Sequence, residues 1–389
     1  MTGKREWHGR LPSVYAEMPS DPKAGTRRFR RLGWGRTSCP LEKPYDLSFA
    51  RLTAYESIWV YAEDEDGDVG LGEAVALPGY GWETTESICA TIARILEGDA
   101  ARNEETLIRR ARGERARNPF AASAVMTAVE LPRYLAQAAP NRFPLNAPVS
   151  GEIPLTRFRA AIAQQLDLGF AYIKVKVGGS LDANAQAARC ALQEFPDRRF
   201  HVVFDANQGF SAEDARRFAA LLADCASSRL LWFEQPVHRE AWSDMESLCR
   251  AGLAPILLDE CIYDEDDIAR AAAMGSYGVK LKLFKNFGIS ESLALARGAR
   301  AAGLAVVFGN GVATDIGNLG EYLTLEAADG LFSPPAECNG FTKLQTPLLG
   351  GVLAADSMGR IICSAQYPAL REALVSFAHS AGIKAQCAL

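Results

Sequence analysis

The sequence predicts an α/β fold in which a parallel β/α barrel follows a smaller α+β unit. From about residue 145, short runs of Val, Ile, Leu and Phe alternate with amphipathic, Ala-rich stretches at a period of roughly 25–30 residues. Eight such runs occur, as a closed β/α barrel requires. A doubly wound open sheet is the alternative, but no Gly-rich phosphate-binding pattern follows the first run.

Residues that typically begin or end a helix lie between the eight apolar runs. Thr156 is expected to cap the helix RFRAAIAQQLDLG, Ser211 opens the capping-box pattern SAED, and Gly303 follows ISESLALARGARAA, where a helix should end. The runs themselves are LNAPVSGEI, AYIKVKV, FHVVFDA, LLWFEQ, PILLDE, GVKLKLF, LAVVFGN and GLFSPPA.

The chain divides into three parts with different patterns. Residues 1–144 hold an N-terminal extension and a small α+β unit, built from RLTAYESIWVYAED, DVGLGEA and the helix ESICATIARILEG, with the loop ALPGYGWETTE between sheet and helix. Residues 145–346 form the barrel. Residues 347–389 begin glycine-rich and end in a short helix, which we expect to pack back on the N-terminal unit.

Composition and charge exclude several classes of protein. The 389 residues are 48% apolar and 23% charged with a net charge of −5, which is typical of a soluble globular protein and gives no reason to expect binding to nucleic acid or membranes. Residues 1–37 hold nine Lys or Arg against three acids. A nucleic-acid arm and a transit signal are alternatives for this basic segment, but without an apolar or amphipathic Ser-rich stretch a solvated extension is favoured.

Cysteine and histidine usage point to a cytoplasmic protein without thiolate or imidazole metal ligands. The nine Cys form no CxxC pair and are scattered on apolar segments, as in a reducing compartment. The four His form no HxH or HExxH pattern, which leaves carboxylate oxygens as the available ligands. No apolar run reaches the ~18 residues that span a bilayer. We expect a homo-oligomer that binds neither nucleic acid nor membranes.

Two of the apolar runs contain pairs of lysines, and three others end in carboxylates. Lys174 and Lys176 lie two residues apart in one run, as do Lys280 and Lys282 in another, so each pair points to one face of its strand. Three intervening runs end in acid. Those acids are Asp205, Glu234 and Asp259, the last followed by Glu260.

These residue types predict a metal-assisted proton transfer. Barrel enzymes carry their catalytic groups at the carboxyl ends of the strands, so the three acids should converge there. Three like charges need a neutralising cation, and hard oxygen ligands favour Mg²⁺, with Mn²⁺ as an alternative. Such a cation stabilises the charge that develops when a proton leaves the carbon next to a carboxylate. A lysine whose pKa is lowered by burial and by neighbouring positive charge can remove that proton.

At this point the chain resembles the enolase superfamily, specifically its mandelate racemase/muconate lactonizing enzyme subgroup. The resemblance rests on KVKVGG, FDANQGF, WFEQPV, LLDE and KLKLFKNFGI in that order, which cover essentially the whole barrel. PLEKPYDLSFARLTAYESIWV and GLGEAV are similar to the capping domain of that family. The resemblance implies a modified (β/α)7β TIM-type barrel with an α+β capping domain, and a Lys base with a Mg²⁺-stabilised enediolate.

The resemblance also implies residue roles. The metal ligands would be Asp205, Glu234 and Asp259. Lys176 would be a base, Lys282 a base or cationic partner on the opposite face, and Lys174 the contact to the substrate carboxylate. Loops near residues 41–47 and 77–85 would cover the substrate. Further groups that orient ligands would be Asn207, Glu260 and Lys285, and the candidates for substrate specificity are Tyr80, Trp82, Asn310 and Glu337.

Three positions depart from the subgroup. Ala313 stands where many relatives carry Glu, and Lys280 stands where a neutral residue is usual. The segment SPPAECNGF lacks the Asp-x-Asp with which dipeptide epimerases hold an ammonium group. These departures leave the substrate open.

The predicted function is Mg²⁺-dependent racemisation or epimerisation of a small carboxylate, because bases on two faces of a planar intermediate serve a 1,1-proton transfer. A cycloisomerase or lyase on the same fold, such as a dehydratase or an o-succinylbenzoate-synthase-like enzyme, is the alternative, with Lys176 as its one base. A non-catalytic barrel would be expected to lack at least one of these groups, and all are present.

Overall fold

The N-terminal unit is an antiparallel sheet covered by helices. The structure, a computed structural model, describes residues 27–46 and 50–381. Strands β1 (Phe29–Asp46), β2 (Arg51–Asp64) and β3 (Val69–Val75) pair in that order. Helices α1 (Thr85–Ile95), α2 (Glu104–Glu114) and α3 (Pro119–Leu135) follow, with a 3-10 turn at Asp99–Arg102. We call this unit the cap.

Two glycines of β3 let α3 lie directly on the sheet. A Cβ atom on Gly70 would lie 1.9 Å from the carbonyl oxygen of Ala128, and one on Gly72 would lie 1.9 Å from that of Ala124. Both distances are far shorter than a van der Waals contact. The small residues of GLGEA therefore set how closely sheet and helix approach.

The barrel consists of parallel strands that alternate with helices, as the sequence predicts. Neighbouring strands from β5 to β11 pair in chain order. The interior is packed by Val203, Trp232, Leu257 and Val307, whereas the larger core lies between strands and outer helices. The strands are β4 (Arg142–Pro144), which stands apart, and β5 (Asn146–Ser150), β6 (Tyr172–Lys176), β7 (His201–Asp205), β8 (Leu230–Glu234), β9 (Ile256–Leu258), β10 (Gly278–Lys282) and β11 (Ala305–Gly309). The helices are α4 (Leu155–Asp167), α5 (Leu181–Gln193), α6 (Ala212–Cys225), α7 (Trp242–Ala251), α8 (Glu265–Ala273), α9 (Ile289–Ala301) and α10 (Asp315–Ala327).

The eighth run closes the barrel without forming a regular strand. Ser333 bridges Val307 on β11, and Ala336 bridges Leu145 next to β5, both in parallel orientation. Pro334 and Pro335, which lie between the two bridges, have no backbone N–H to donate, so a continuous ladder cannot form. The expected (β/α)7β barrel is therefore confirmed, with an irregular eighth member.

Two of the three helix signals agree with the structure. Ser211 accepts the N–H of Asp214 and caps α6, and α9 ends at Ala301, just before Gly303 with its φ of +83°. The prediction for Thr156 was wrong. Helix α4 begins at Leu155, two residues before the expected Arg157, because Pro154 precedes it with a fixed φ that suits a helix start, and no side chain caps it.

The C-terminal segment returns to the cap. Strands β12 (Leu353–Ala355) and β13 (Arg360–Cys363) form a small sheet with β4. Helix α11 (Tyr367–Ser380) then contacts the cap sheet. Its Phe377 ring packs edge-on against Trp59 with centroids 5.4 Å apart, and its Arg371 donates to the carbonyl oxygen of Gly67.

Buried carboxylates of the cap dock onto helix N-termini of the barrel. Glu73 on β3 accepts the N–H groups of Thr314 and Gly317 at the start of α10, each at 2.9 Å. Glu130 on α3 accepts those of Ile289 and Ser290 at the start of α9. The first N–H groups of a helix have no partner within the helix and carry partial positive charge, so these contacts hold the cap above the barrel.

The described part of the basic N-terminal segment lies on the cap. Arg27 pairs with Glu104 at 2.7 Å, and Arg30 and Arg31 both pair with Glu63. Residues 1–26 lie outside the described residues. Within residues 27–46 and 50–381, no helix has the length and apolarity needed to cross a membrane.

Candidate active site

A cavity of about 40 Å³ lies at the carboxyl ends of the barrel strands, beneath the cap. The cap contributes Tyr45, Leu77 and Tyr80 to its wall. Its barrel residues come from both sides of the rim: Asn146, Pro148, Lys174, Lys176, Asp205, Asn207, Lys282, Asn310, Gly311, Glu337 and Asn339. Most of the residues that the sequence singles out therefore meet in one place.

Two lysines face this cavity from opposite walls. Lys176 ends β6 and Lys282 ends β10, and these strands are four positions apart in a barrel with eight positions. Asp205, Glu234 and Asp259 follow on the three strands between them. The site is thus an arc of three carboxylates with a lysine at each end.

Lys174 bridges two of the carboxylates. Its Nζ lies 2.7 Å from Oδ2 of Asp205 and 3.0 Å from Oε1 of Glu234. All three side chains are almost completely buried. Trp232, two residues before Glu234 on the same strand face, donates its Nε1 to the other carboxylate oxygen at 3.3 Å.

Lys176 is held between Asp205 and Asn207. Its Nζ donates to Oδ2 of Asp205 and to Oδ1 of Asn207, each at 2.6 Å. The amide nitrogen of Asn207 in turn donates to Glu260 at 3.1 Å. Asn207 therefore orients both the lysine and the buried acid next to Asp259, from a backbone position with a φ of +41°.

Asp259 contacts side chains of both the barrel and the cap. Its Oδ2 lies 2.7 Å from Nζ of Lys282, and Nζ of Lys285 lies 2.6 Å from its carbonyl oxygen. The hydroxyl of Tyr80 donates to its Oδ1 at 2.9 Å. The Tyr80 ring also faces the Lys282 ammonium group at 4.4 Å, a distance at which a cation is attracted to an aromatic ring.

Lys280 and Glu337 form an ion pair inside the barrel that the sequence did not predict. Nζ of Lys280 lies 2.6 Å from Glu234 and 2.9 Å from Glu337, and the lysine is fully buried. Glu337 also pairs with Lys174 and accepts a hydrogen bond from Asn146 at 2.8 Å. The unusual lysine is thus matched by a carboxylate at the end of the eighth run. Strand periodicity placed Lys280 inward, but no local pattern identified its partner.

The candidate specificity residues divide between cavity and surface. Tyr80, Asn310 and Glu337 line the cavity. Trp82 does not line it, and its side chain is 48% exposed, with its ring against Tyr263 and Arg239. Trp82 therefore packs the outer side of the cap loop.

The donor set of Asp205, Glu234 and Asp259 fits a hard divalent cation. All three are oxygen donors that are at most 1% exposed. Oδ2 of Asp259 is buried and makes no hydrogen bond of acceptable geometry, although Lys282 lies near it. Lysine ammonium groups form ion pairs with these carboxylates. In the part of the chain that the structure describes, no group of three His, Cys, Asp or Glu is arranged to hold a metal ion, so the fit concerns the chemistry of the three donors and not their spacing.

Burial and charge act in opposite directions on the acids. For Asp259, burial raises the pKa, but Lys282 and Lys285 outweigh it and bring the pKa down to about 2. For the neighbouring Glu260, burial and the negative charge of Asp259 raise the pKa to about 8. Adjacent carboxyl groups in one site therefore favour opposite protonation states at neutral pH.

The two facing lysines are both held in the charged form by the protein's own groups. Burial lowers the pKa of Lys176, but the charge of Asp205 outweighs burial and raises it. Burial likewise lowers the pKa of Lys282, which Asp259 and Glu260 raise. Asp205 and Asp259, which oppose proton release from these lysines, are also two of the three candidate metal ligands.

Comparison with known proteins identifies the family. A model of the enolase C-terminal domain-like family matches residues 157–329. The hydrophobic dipeptide epimerase of Roseobacter litoralis is 30% identical over 239 residues, which cover 58% of this chain and 68% of that protein. The chain belongs to the enolase superfamily. The family model that matches is that of the mandelate racemase/muconate lactonizing enzyme subgroup, as the motifs predicted.

Other enolase-superfamily relatives carry different activities in their names. The aromatic dipeptide epimerase of Herpetosiphon aurantiacus is 28% identical over 325 residues, covering 79% of this chain and 87% of that protein. The o-succinylbenzoate synthase of Thermosynechococcus vestitus is 27% identical over 267 residues, covering 68% of this chain and 79% of that protein. The chain is therefore an enolase-superfamily enzyme, an isomerase or a lyase.

Solved structures share the enolase-superfamily fold. Muconate lactonizing enzyme from Pseudomonas fluorescens, complexed with muconolactone, superposes with a TM-score of 0.73 at 22% identity, covering 90% of this chain and 99% of that one. Dipeptide epimerase from Enterococcus faecalis V583, complexed with Mg and L-Leu-L-Tyr, superposes with a TM-score of 0.73 at 20% identity, covering 87% of this chain and 98% of that one. At these identities the likeness supports the fold alone.

Proposed function

We propose that the chain catalyses Mg²⁺-dependent removal of a proton from the carbon next to a substrate carboxylate, and that it acts as a racemase or epimerase. The observation that carries this proposal is the placement of Lys176 and Lys282 on opposite walls of one cavity. A planar intermediate between them would present one face to each lysine. One lysine could remove the proton and the other could return it to the opposite face.

The carboxylates between the lysines suit the cation that such chemistry needs. Asp205, Glu234 and Asp259 would hold Mg²⁺, the ion named with the similar dipeptide epimerase structure. When bound, Mg²⁺ supplies positive charge that stabilises the negative charge developing on the substrate carboxylate. Lys174 would bind that carboxylate, and Asn207 holds Lys176 toward the cavity.

A cycloisomerase or lyase is the second candidate, and the surroundings of Lys282 favour it. Asp259 stabilises the charged form of Lys282 as Asp205 does that of Lys176. The Tyr80 ring, 4.4 Å from the ammonium group of Lys282, stabilises that charge further. In this alternative Lys176 alone removes the proton, and Lys282 stays charged and stabilises the intermediate.

Hydrogen exchange in D₂O separates the two candidates. The enzyme with Mg²⁺ is incubated with a set of carboxylates, and α-deuterium incorporation is measured by mass spectrometry and NMR. For a racemase, Lys176→Ala should still exchange the α-proton of one enantiomer and Lys282→Ala that of the other. For a one-base enzyme, Lys176→Ala should lose all exchange.

The control for this experiment is Arg250→Ala, which removes an exposed cation on α7 and should leave both exchange rates unchanged. Failure of every carboxylate to exchange with the unaltered enzyme would contradict proton abstraction itself. Exchange abolished only by loss of Lys176 would reject the racemase and support the alternative.

A further inference from the structure

The backbone of the cap loop that carries Tyr80 has few local constraints. Tyr80 lies between two glycines, Gly79 with a φ of +95° and Gly81, and glycine accepts a wide range of backbone conformations. Within the loop, the N–H groups of Tyr80 and Gly81 donate to one carbonyl oxygen, that of Leu77, at 3.1 Å. The side chain of Tyr80 contacts a candidate metal ligand and a candidate base, so a shift of this backbone moves both contacts.

Arg239, on the segment between β8 and α7, contacts this loop at two points. Its Nη1 donates a 2.9 Å hydrogen bond to the carbonyl oxygen of Tyr80. Its guanidinium carbon lies 5.2 Å from the ring centroid of Trp82, a distance at which a cation is attracted to an indole. The Trp82 ring is held in turn by its Nε1, which donates to the carbonyl oxygen of Arg117 at 2.7 Å. A single barrel side chain therefore holds the loop on both sides of Gly81.

The backbone of Arg239 is fixed to the loops that follow two of the strands with candidate ligands. Its N–H donates to Oε1 of Gln208 at 3.0 Å, and the N–H of Gln208 donates to the carbonyl oxygen of Gln235 at 2.9 Å. Gln208 lies three residues after Asp205, and Gln235 directly follows Glu234. Arg239 therefore has a fixed position relative to the carboxylates of the site.

We propose that Arg239 is a positioning residue that acts through Tyr80. It holds this side chain against Asp259 and Lys282, and it does not contact the substrate, since it does not line the cavity. Trp82 supports the guanidinium group from the outer side of the loop. The effect of Arg239 on catalysis rests on the proposed function, whereas its effect on the loop does not.

Hydrogen exchange of the backbone amides tests the contact with the loop and needs no substrate. In Arg239→Met, the N–H groups of Tyr80 and Gly81 should exchange at least about fivefold faster than in the unaltered protein, because the loop loses a hydrogen bond from a charged donor. Mass spectrometry of peptides that cover residues 77–85 measures this rate. A circular dichroism melt checks that the variant folds.

Two further arginine variants accompany this measurement. Arg270→Met is the matched control, because it removes a guanidinium group that lies 4.1 Å from another indole ring, that of Trp242, outside the cap loop. It should leave the exchange of residues 77–85 unchanged. Arg239→Lys keeps a positive charge and N–H donors, so its loop should exchange more slowly than that of Arg239→Met.

Steady-state kinetics test whether Arg239 acts through Tyr80. Arg239→Met should lower kcat/KM by about tenfold, because Tyr80 is no longer held in its hydrogen bond to Asp259. In a Tyr80→Ala background the same change should lower kcat/KM by less than about twofold, because the side chain that Arg239 positions is gone.

The outcomes distinguish this inference from the proposed function. Loop exchange that is unchanged in Arg239→Met, or a loss of kcat/KM that is equally large with and without the Tyr80 side chain, overturns the inference. Faster loop exchange together with a loss that depends on Tyr80 supports it. If the loop exchanges faster in Arg239→Met but the unaltered enzyme exchanges the α-proton of no carboxylate, the proposed function fails and the role of Arg239 in holding the loop stands.

Discussion

The hydroxyl group of Tyr80, on a loop of the cap, donates a 2.9 Å hydrogen bond to Oδ1 of Asp259 at the end of the fifth barrel strand. The same side chain lies over the ammonium group of Lys282 at 4.4 Å. One cap residue therefore contacts both a candidate metal ligand and a candidate base. The cap is part of the site, and the contacts that dock it, such as those of Glu73 and Glu130, also position the chemistry.

Removal of the Tyr80 hydroxyl should lower activity without unfolding the protein. Tyr80→Phe keeps the ring over Lys282 but leaves Oδ1 of Asp259 without this donor. A hydrogen bond to a charged group contributes about 1.5–3 kcal/mol, so kcat/KM should fall by about 10- to 100-fold. The measurement is steady-state kinetics with a circular dichroism melt. Tyr277→Phe, at an exposed ring on the barrel surface, is the control. An unchanged kcat/KM would show that the hydrogen bond has no catalytic role.

Removal of divalent cations should abolish activity. Without the cation, the charge that develops on the substrate carboxylate loses stabilisation of several kcal/mol, so EDTA should reduce turnover by at least ~10³-fold and added Mg²⁺ should restore it. Calorimetric titration of Mg²⁺ into Asp259→Asn should show weaker binding than in the unaltered protein. Full turnover in chelated enzyme would reject Asp205, Glu234 and Asp259 as metal ligands.

The arc of three carboxylates between two lysines could be predicted, because the position of each residue follows from the geometry of its own strand. The two-residue period of a strand points Lys174 and Lys176 to one face, and the ends of parallel strands bring Asp205 near Glu234. The partner of Lys280 depends instead on closure of the barrel, which brings Glu337 across from β10. Tyr80 and Trp82 are two residues apart on an irregular loop without a fixed period, so the sequence could not tell which of them faces the cavity.

The ion pair of Lys280 and Glu337 should stabilise the protein as a unit. Glu337→Gln leaves two buried lysines with one fewer counter-charge, which should cost roughly 3–5 kcal/mol in the free energy of unfolding. Adding Lys280→Met removes the excess charge and should recover a large part of that loss. Denaturant unfolding of the two single variants and the double variant gives the coupling free energy.

The matched control for this cycle is the exposed pair Glu246 and Arg250 on α7. Glu246→Gln, Arg250→Met and the double variant should each change the free energy of unfolding by less than about 1 kcal/mol. Additive effects of Glu337→Gln and Lys280→Met would show that the two residues are not energetically coupled.

Stability should also depend on pH through Glu83. This carboxylate is 3% exposed and accepts the N–H groups of Phe120 and Ala121 at the start of α3, at 2.7 and 3.1 Å. Burial raises its pKa from an ordinary 4.5 to about 7, more than the two hydrogen bonds lower it. Between these two values the folded protein binds more protons at Glu83 than the unfolded chain does. Its contribution to stability is therefore fully present below pH 4.5 and is lost as the pH rises to about 7.

Glu83→Gln keeps a hydrogen-bond acceptor at the start of α3 but cannot ionise. The free energy of unfolding of the unaltered protein, relative to that of Glu83→Gln, should therefore fall by up to about 3 kcal/mol between pH 4.5 and 7. Denaturant unfolding at half-unit steps of pH measures this difference. Thr84→Ala, which removes the neighbouring cap of α1 without removing a titrating group, should show a difference that does not change with pH. A difference for Glu83→Gln that stays constant would mean that the pKa of Glu83 is the same in the folded and unfolded protein, and one that grows with pH would mean that folding lowers it. In either case the two backbone hydrogen bonds would match or outweigh burial.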